Sequence, residues 1–97
     1  MATYVILMNL TDQGVKDIKK APERIEQGIK AFEQMGGKVT GFYTVMGEFD
    51  YLAIGEAPSE EIVTAFVLAL GAQGNVRTTT LRAFTKEEIA DIIKKLP

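Results

Sequence analysis

Along the chain, segments with the apolar pattern of a strand alternate with segments with the apolar pattern of a helix. Four segments are of the strand type. Short apolar runs, rich in β-branched and aromatic residues and bounded by glycine, proline or aspartate, are typical of strands. We predict strands over residues 3–10, 38–46, 48–57 and 75–84. The second and third would form a hairpin that turns at Gly47.

Between these runs, apolar residues recur three or four positions apart, which predicts helices. Pro22 favours a helix start and Gly36-Gly37 a helix stop. Ser59, followed by two glutamates, predicts the next helix, and Thr85 with Glu88 matches a capping box for the last. The element order predicts an α+β, ferredoxin-like βαββαβ fold with a C-terminal helix, in which helices cover one face of an antiparallel sheet. No linker or repeat divides the 97 residues, so we expect a single domain.

The same pattern makes definite predictions about packing. The first strand is apolar at almost every position, which favours burial on both faces. Gly28 lies on the apolar stripe of its helix and suggests a close approach to the sheet, and the helix over 62–70 is apolar on more than one side. Residues 14–20 would form a turn or two of helix capped by Thr11 or Asp12. In this short helix, Val15 and Ile18 would face inward. In the last helix, an inward-facing stripe would consist of Ile89, Ile92, Ile93 and Leu96.

Apolar residues on both faces of the strands also predict an oligomer. Helices cover only one face of a ferredoxin-like sheet, and a large bare apolar patch usually marks an interface. The last helix could cover part of it. A second copy of the sheet, meeting the first face to face about a twofold axis, would cover it more fully. We therefore expect a homodimer or a higher homo-oligomer in the manner of a dimeric α/β barrel.

Composition narrows the classes of function. The chain has no cysteine and no histidine, so it lacks thiol chemistry, the commonest general base and the commonest transition-metal ligand. Charged residues make up 25% of the chain, with a net charge of −2, and are interspersed. We expect no cofactor, no metal site, and no nucleic-acid or membrane partner. The absence of an apolar leader favours a cytoplasmic protein.

The hairpin turn carries the candidate chemistry. Glu48 and Asp50 flank Phe49, and both carboxylates would share one face if the strand began at Glu48. With the Tyr43 hydroxyl they form a candidate catalytic or ligand-binding set. The alternative is structural: a carboxylate at a turn commonly accepts bonds from backbone N–H groups, and Tyr51 would pack in the sheet.

Three arginines complete the candidate ligand-binding set. Arg77 and Arg82 lie five residues apart, on opposite faces of the last strand, and Arg77 could face Asp50 or an anion. Arg24 lies near the start of a helix, where anions are favoured. Structural ion pairs are the alternative, for Arg24 with Asp17, Glu23 or Glu26.

Sequence features along nearly the whole chain resemble the GYD domain family, small proteins placed among the dimeric α/β-barrel folds. The shared features are Thr11, Gly14, Pro22-Glu23-Arg24, 37–43, Gly47-Glu48-Phe49-Asp50, 56–58, 74–78 and 80–85. Phe49 stands at the tyrosine of the family's Gly, Tyr, Asp signature, so any role for that hydroxyl is absent here. The resemblance implies the fold and an oligomer, and little about activity.

Two functions remain open from the sequence. The first is a non-enzymatic oligomer that binds a small molecule or acts as a structural or regulatory module. The second is a small cofactor-free enzyme, of isomerase or monooxygenase type, using Tyr43 with Asp50 or Glu48. Enzymes of that type occur on the same barrel, which is an analogy of fold alone.

Overall fold

A computed structural model describes all 97 residues and shows a four-stranded antiparallel sheet with the strand order β2-β3-β1-β4. The strands are β1 (Ala2–Leu10), β2 (Lys38–Thr44), β3 (Tyr51–Ala57) and β4 (Val76–Ala83). The central β1 pairs with β3 in the register Ile6 to Ala53, and with β4 in the register Ile6 to Thr80. The predicted ferredoxin-like order of elements is confirmed.

The helices begin and end close to their sequence signals. They are α1 (Asp12–Lys16), followed by a 3₁₀ turn (Ile18–Lys20), α2 (Ala21–Gln34), α3 (Glu60–Gln73) and α4 (Lys86–Ile93). The Thr11 and Ser59 side chains cap α1 and α3. Gly36 and Gly74 follow α2 and α3 with φ of +95° and +83°, a conformation that favours glycine. None of the helices has the length and apolar character that a membrane crossing requires.

The core lies between one face of the sheet and helices α2 and α3. Tyr4, Ile6 and Met8 of β1 point into it, and the intervening residues of β1 are only half-buried. The prediction that β1 is buried on both faces is therefore wrong, because the helices cover one face only. Phe32 of α2 and Phe66 of α3 meet over this core, with ring centroids 4.9 Å apart.

Three further packing predictions are wrong. Val15 and Ile18 are exposed, and Gly14 is the buried residue of α1. A methyl group added to Gly28 would meet no atom within 4 Å, so this glycine does not serve a close approach to the sheet. Helix α3 buries Val63 and Phe66 but leaves Leu68 largely exposed, so it is covered on one side.

The C-terminal helix α4 has a fixed start and no packed face. The Thr85 hydroxyl accepts a bond from the Glu88 N–H, and the Thr85 N–H donates to Glu88 Oε1 at 2.8 Å, which completes the predicted capping box. That backbone bond, aided by Arg82, holds the pKa of Glu88 below its ordinary value. The bond therefore supports α4 above the ordinary pKa of a glutamate, and the support is lost as pH falls through the lowered value.

The prediction that the apolar stripe of α4 faces inward is wrong. Ile89, Ile92 and Ile93 remain 43%, 38% and 55% exposed, and Leu96, predicted to lie in the helix, follows its end and is 68% exposed. Helix α4 makes no extensive contact with any other element, and the molecule is elongated, 52 Å by 30 Å by 19 Å. Only Phe84 and Thr85 separate β4 from this helix.

Candidate functional site

Asp50 lies in the loop between β2 and β3, where it binds the end of β1. Its Oδ2 accepts a bond from the Leu10 N–H at 2.8 Å, and its own N–H donates to the Met8 carbonyl at 2.9 Å. The third strand begins at Tyr51, so the prediction that it begins at Glu48 is wrong, and the two carboxylates do not share a strand face. Glu48 is exposed and makes no side-chain hydrogen bond or ion pair. The carboxylate of Asp50 thus joins the hairpin loop to the central strand.

Asp50→Asn is expected to lower the free energy of unfolding by about 1 kcal/mol, because a charge-assisted bond becomes a neutral one. Asp50→Ala leaves the Leu10 N–H without its partner and should cost about 1–3 kcal/mol. Urea unfolding followed by circular dichroism measures both changes. Glu48→Gln is the matched control and should lie within about 0.5 kcal/mol of the parent, as is usual for an exposed side chain. A neutral Asp50→Ala would contradict the structural role.

A second junction joins the start of α1 to the turn between α3 and β4. The Thr11 N–H donates to the Asn75 carbonyl at 3.0 Å, and the Thr11 hydroxyl donates to the Gly74 carbonyl while it accepts from the Gly14 N–H. The Gln13 amide donates to Asn75 Oδ1 and to the carbonyl of the residue before Gly74, each at 3.0 Å. Several residues that carry the family resemblance therefore act together in one structural contact.

Arg24 reaches from the first turn of α2 to the end of α1. Its guanidinium donates to the Asp17 carbonyl at 2.9 Å and to the Gly14 carbonyl at 3.1 Å. No carboxylate lies within salt-bridge distance, so the ion pair with Asp17, Glu23 or Glu26 is absent. Arg24 supports this corner of the fold while its positive charge stays without an acidic partner.

The two arginines of β4 lie on opposite faces, as predicted. Arg77 is opposite Asn9 in β1, is exposed, and makes no side-chain hydrogen bond or ion pair, including with Asp50. Arg82 is opposite Tyr4 and lies over the rings of Tyr4 and Phe84. It also donates to the carbonyls of Thr3 and Ala83 and pairs with Glu88 at 3.5 Å. Arg82 therefore links β4 to α4, and anion binding by either arginine stays a prediction.

The two tyrosines of the hairpin lie on different faces of the sheet. Tyr51 is buried beside Phe42 on the helix face. Tyr43 is opposite Leu52, on the other face, and is 57% exposed. No hydrogen bond joins Tyr43 to Glu48 or Asp50, so the structure does not bring the candidate catalytic set together.

The face of the sheet without helices, which we call the open face, carries an apolar patch together with the polar residues Asn9, Glu56, Arg77 and Thr79. The registers place on it Val5, Leu7, Tyr43, Leu52, Ile54 and Leu81. These side chains are half-buried or exposed in the single chain, Leu81 at 47%. Two unpartnered apolar surfaces, the open face and the stripe of α4, thus occur on one small domain, which is a pattern of interaction sites.

A small α+β domain with these surfaces has clear relatives among known proteins. The GYD domain family model matches residues 4–93, and the chain belongs to this family. A protein of Thermus thermophilus, the glutamine synthetase and cystathionine beta-lyase binding protein, is 35% identical over 97 residues, which cover 99% of each chain.

Two solved structures share the fold. The crystal structure of an FFRP protein has a TM-score of 0.62 at 23% identity and covers 87% of this chain and 100% of its own. A crystal structure of a Thermus thermophilus protein has a TM-score of 0.52 at 26% identity and covers 88% of this chain and 95% of its own.

Proposed function

We propose that this chain is an oligomeric binding module that acts on other proteins. It would pair with a second copy through the open face and dock onto an enzyme of amino-acid metabolism through α4. The observation that carries the proposal is the exposed stripe of α4, on a helix that makes no extensive contact with the rest of the chain. The relative named for binding glutamine synthetase and cystathionine beta-lyase supports the choice of partner.

The shapes of the two apolar surfaces support this division of roles. The open face is broad, and two copies related by a twofold axis would present the same residues to each other. The stripe of α4 is narrow, with apolar residues at positions 89, 92 and 93 of the helix and Leu96 just after its end. This spacing is typical of a helix that lays its apolar side into a groove on a partner.

The placement of the hairpin residues supports binding over catalysis. Asp50 is engaged with the backbone of β1, and Tyr43 projects from the open face. In the proposed dimer the Tyr43 ring would contribute contact area at the interface, as tyrosine commonly does. The oligomer would have a regulatory or structural role, which it would exert by binding to its partner enzyme.

Binding to purified glutamine synthetase and cystathionine beta-lyase, each taken from the organism that this chain comes from, tests the proposal. The chain is immobilised and each enzyme is passed over it. Ile92→Asp places a charge in the centre of the α4 stripe and should weaken binding by about tenfold or more. Ala90→Asp adds the same charge outside the stripe and is the matched control. The proposal fails if neither enzyme binds, or if Ile92→Asp binds as well as the parent.

A further inference from the structure

An apolar cleft lies between α2, α3 and the helix face of the sheet. Phe32 and Phe66, whose rings are in contact, both line it. It runs toward the start of α2 and the end of α3, where Arg24, Gln73 and Asn75 line it. Sixteen of its 21 lining residues are hydrophobic, and its volume is about 90 Å³. The cleft is thus an apolar space with its polar groups gathered near one end.

Gly28 leaves free space beside this cleft. It lies in the middle of α2 and lines the cleft, and a methyl group added to it would meet no atom within 4 Å. Glycine inside a helix is unfavourable relative to alanine, and Gly28 has neither a close contact nor a positive φ. A larger side chain at this position would therefore occupy space that the cleft now leaves free.

Arg24 gives the cleft its charge. It is the only charged residue in the lining, and no carboxylate lies within salt-bridge distance of it. Two of its N–H groups donate to the backbone carbonyls of Asp17 and Gly14, which fixes the guanidinium in place. An arginine has five N–H donors, so others remain for a ligand. A carboxylate is a group whose geometry its planar fork matches.

We propose that this cleft binds a small aliphatic monocarboxylate. Its hydrocarbon chain would lie between α2 and the sheet, beside Ile25, Gly28 and Leu70, and its carboxylate would pair with Arg24. An apolar cavity of about 150 Å³ accommodates benzene, and drug-sized ligands occupy about 300–1,000 Å³. The cleft, at about 90 Å³, is smaller than either, so only the narrow hydrocarbon tail of an unbranched chain would enter it, and the carboxylate would stay at the mouth beside Arg24. The site lies on the opposite side of the sheet from the open face, so hexanoate binding does not depend on the proposed dimer contact.

Hexanoate is the probe and hexanamide, which has the same shape without charge, is its control. Hexanoate should raise the melting temperature in proportion to the logarithm of its concentration, because it binds the folded state. It should also shift the methyl NMR signals of Ile25, Ile29 and Leu70. Hexanamide should do neither at the same concentration. Equal effects of the two compounds, or no effect of hexanoate, would overturn the proposal.

Two variants test the two parts of the site separately. Arg24→Gln should raise the dissociation constant of hexanoate by about tenfold or more, since the charge is lost. Gly28→Leu fills the cleft without touching the bonds of Arg24 and should abolish the methyl shifts. Gly71→Leu is its matched control: Gly71 lies in α3, also has open space around it, and does not line the cleft. Hexanoate binding that survives in Gly28→Leu would refute the assignment.

Discussion

Gly14→Ala is expected to lower the free energy of unfolding by about 3 kcal/mol or more, the upper part of the range for overpacking. A β-carbon at Gly14 would overlap the Asn75 carbonyl oxygen, which is backbone and has little freedom to move. To relieve the overlap, α1 and the turn before β4 must separate. That movement would break the bonds from Thr11 to Gly74 and Asn75, at about 1 kcal/mol each.

Urea unfolding followed by circular dichroism measures this loss. Gly28→Ala and Gly71→Ala are matched controls, because a methyl group at either position meets no atom within 4 Å. Each control should be neutral or should stabilise the chain by up to about 1 kcal/mol, the difference in helix propensity. A Gly14→Ala protein as stable as these controls would show that the junction of α1 with the α3–β4 turn can adjust freely.

Leu52→Glu is expected to raise the dissociation constant of the proposed dimer by about 100-fold or more, since a buried unpaired carboxylate is costly. Leu52 lies on β3, opposite Leu7 of β1, so it is near the middle of the open face. In the single chain its side chain is only half-buried, so the fold itself should survive the change. Sedimentation velocity across a dilution series measures the shift toward monomer.

Leu68→Glu is the matched control for this change. Leu68 lies on α3, on the other side of the sheet from the open face, and is 69% exposed. The same substitution there should leave the association unchanged. If Leu68→Glu dissociates the oligomer and Leu52→Glu does not, the interface lies on the exposed side of α3.

Local signals in the sequence are sufficient to predict the elements of this fold. The caps at Ser59 and Thr85 and the glycines after α2 and α3 act through neighbouring backbone atoms, so a sequence reveals them directly. The ferredoxin-like order follows from the order of strands and helices.

Packing between distant segments is harder to predict. The periodicity of Val15 and Ile18 indicates an inward face, yet Gly14 approaches Asn75 and turns that face to solvent. The stripe of α4 is visible in the sequence, but the sequence alone does not show that the stripe is left uncovered by the rest of the chain. Periodicity identifies an apolar face and does not identify what covers it.

The candidate site is predictable in part. The importance of Asp50 can be inferred from its place at a turn, but its acceptor role toward the Leu10 N–H depends on a pairing forty residues away in sequence. The one sign of the apolar cleft in the sequence is Gly28 within a helix. A glycine at such a position indicates close packing as readily as it indicates open space.

Light scattering of the unmodified protein across a dilution series tests whether the open face is an association surface. A dimer formed through this face should give a mass at micromolar concentration of at least twice the 10.6 kDa of the chain, falling toward 10.6 kDa on dilution or in Leu52→Glu. A single 10.6 kDa species at every concentration would contradict it, and the apolar residues of the open face would then need another partner.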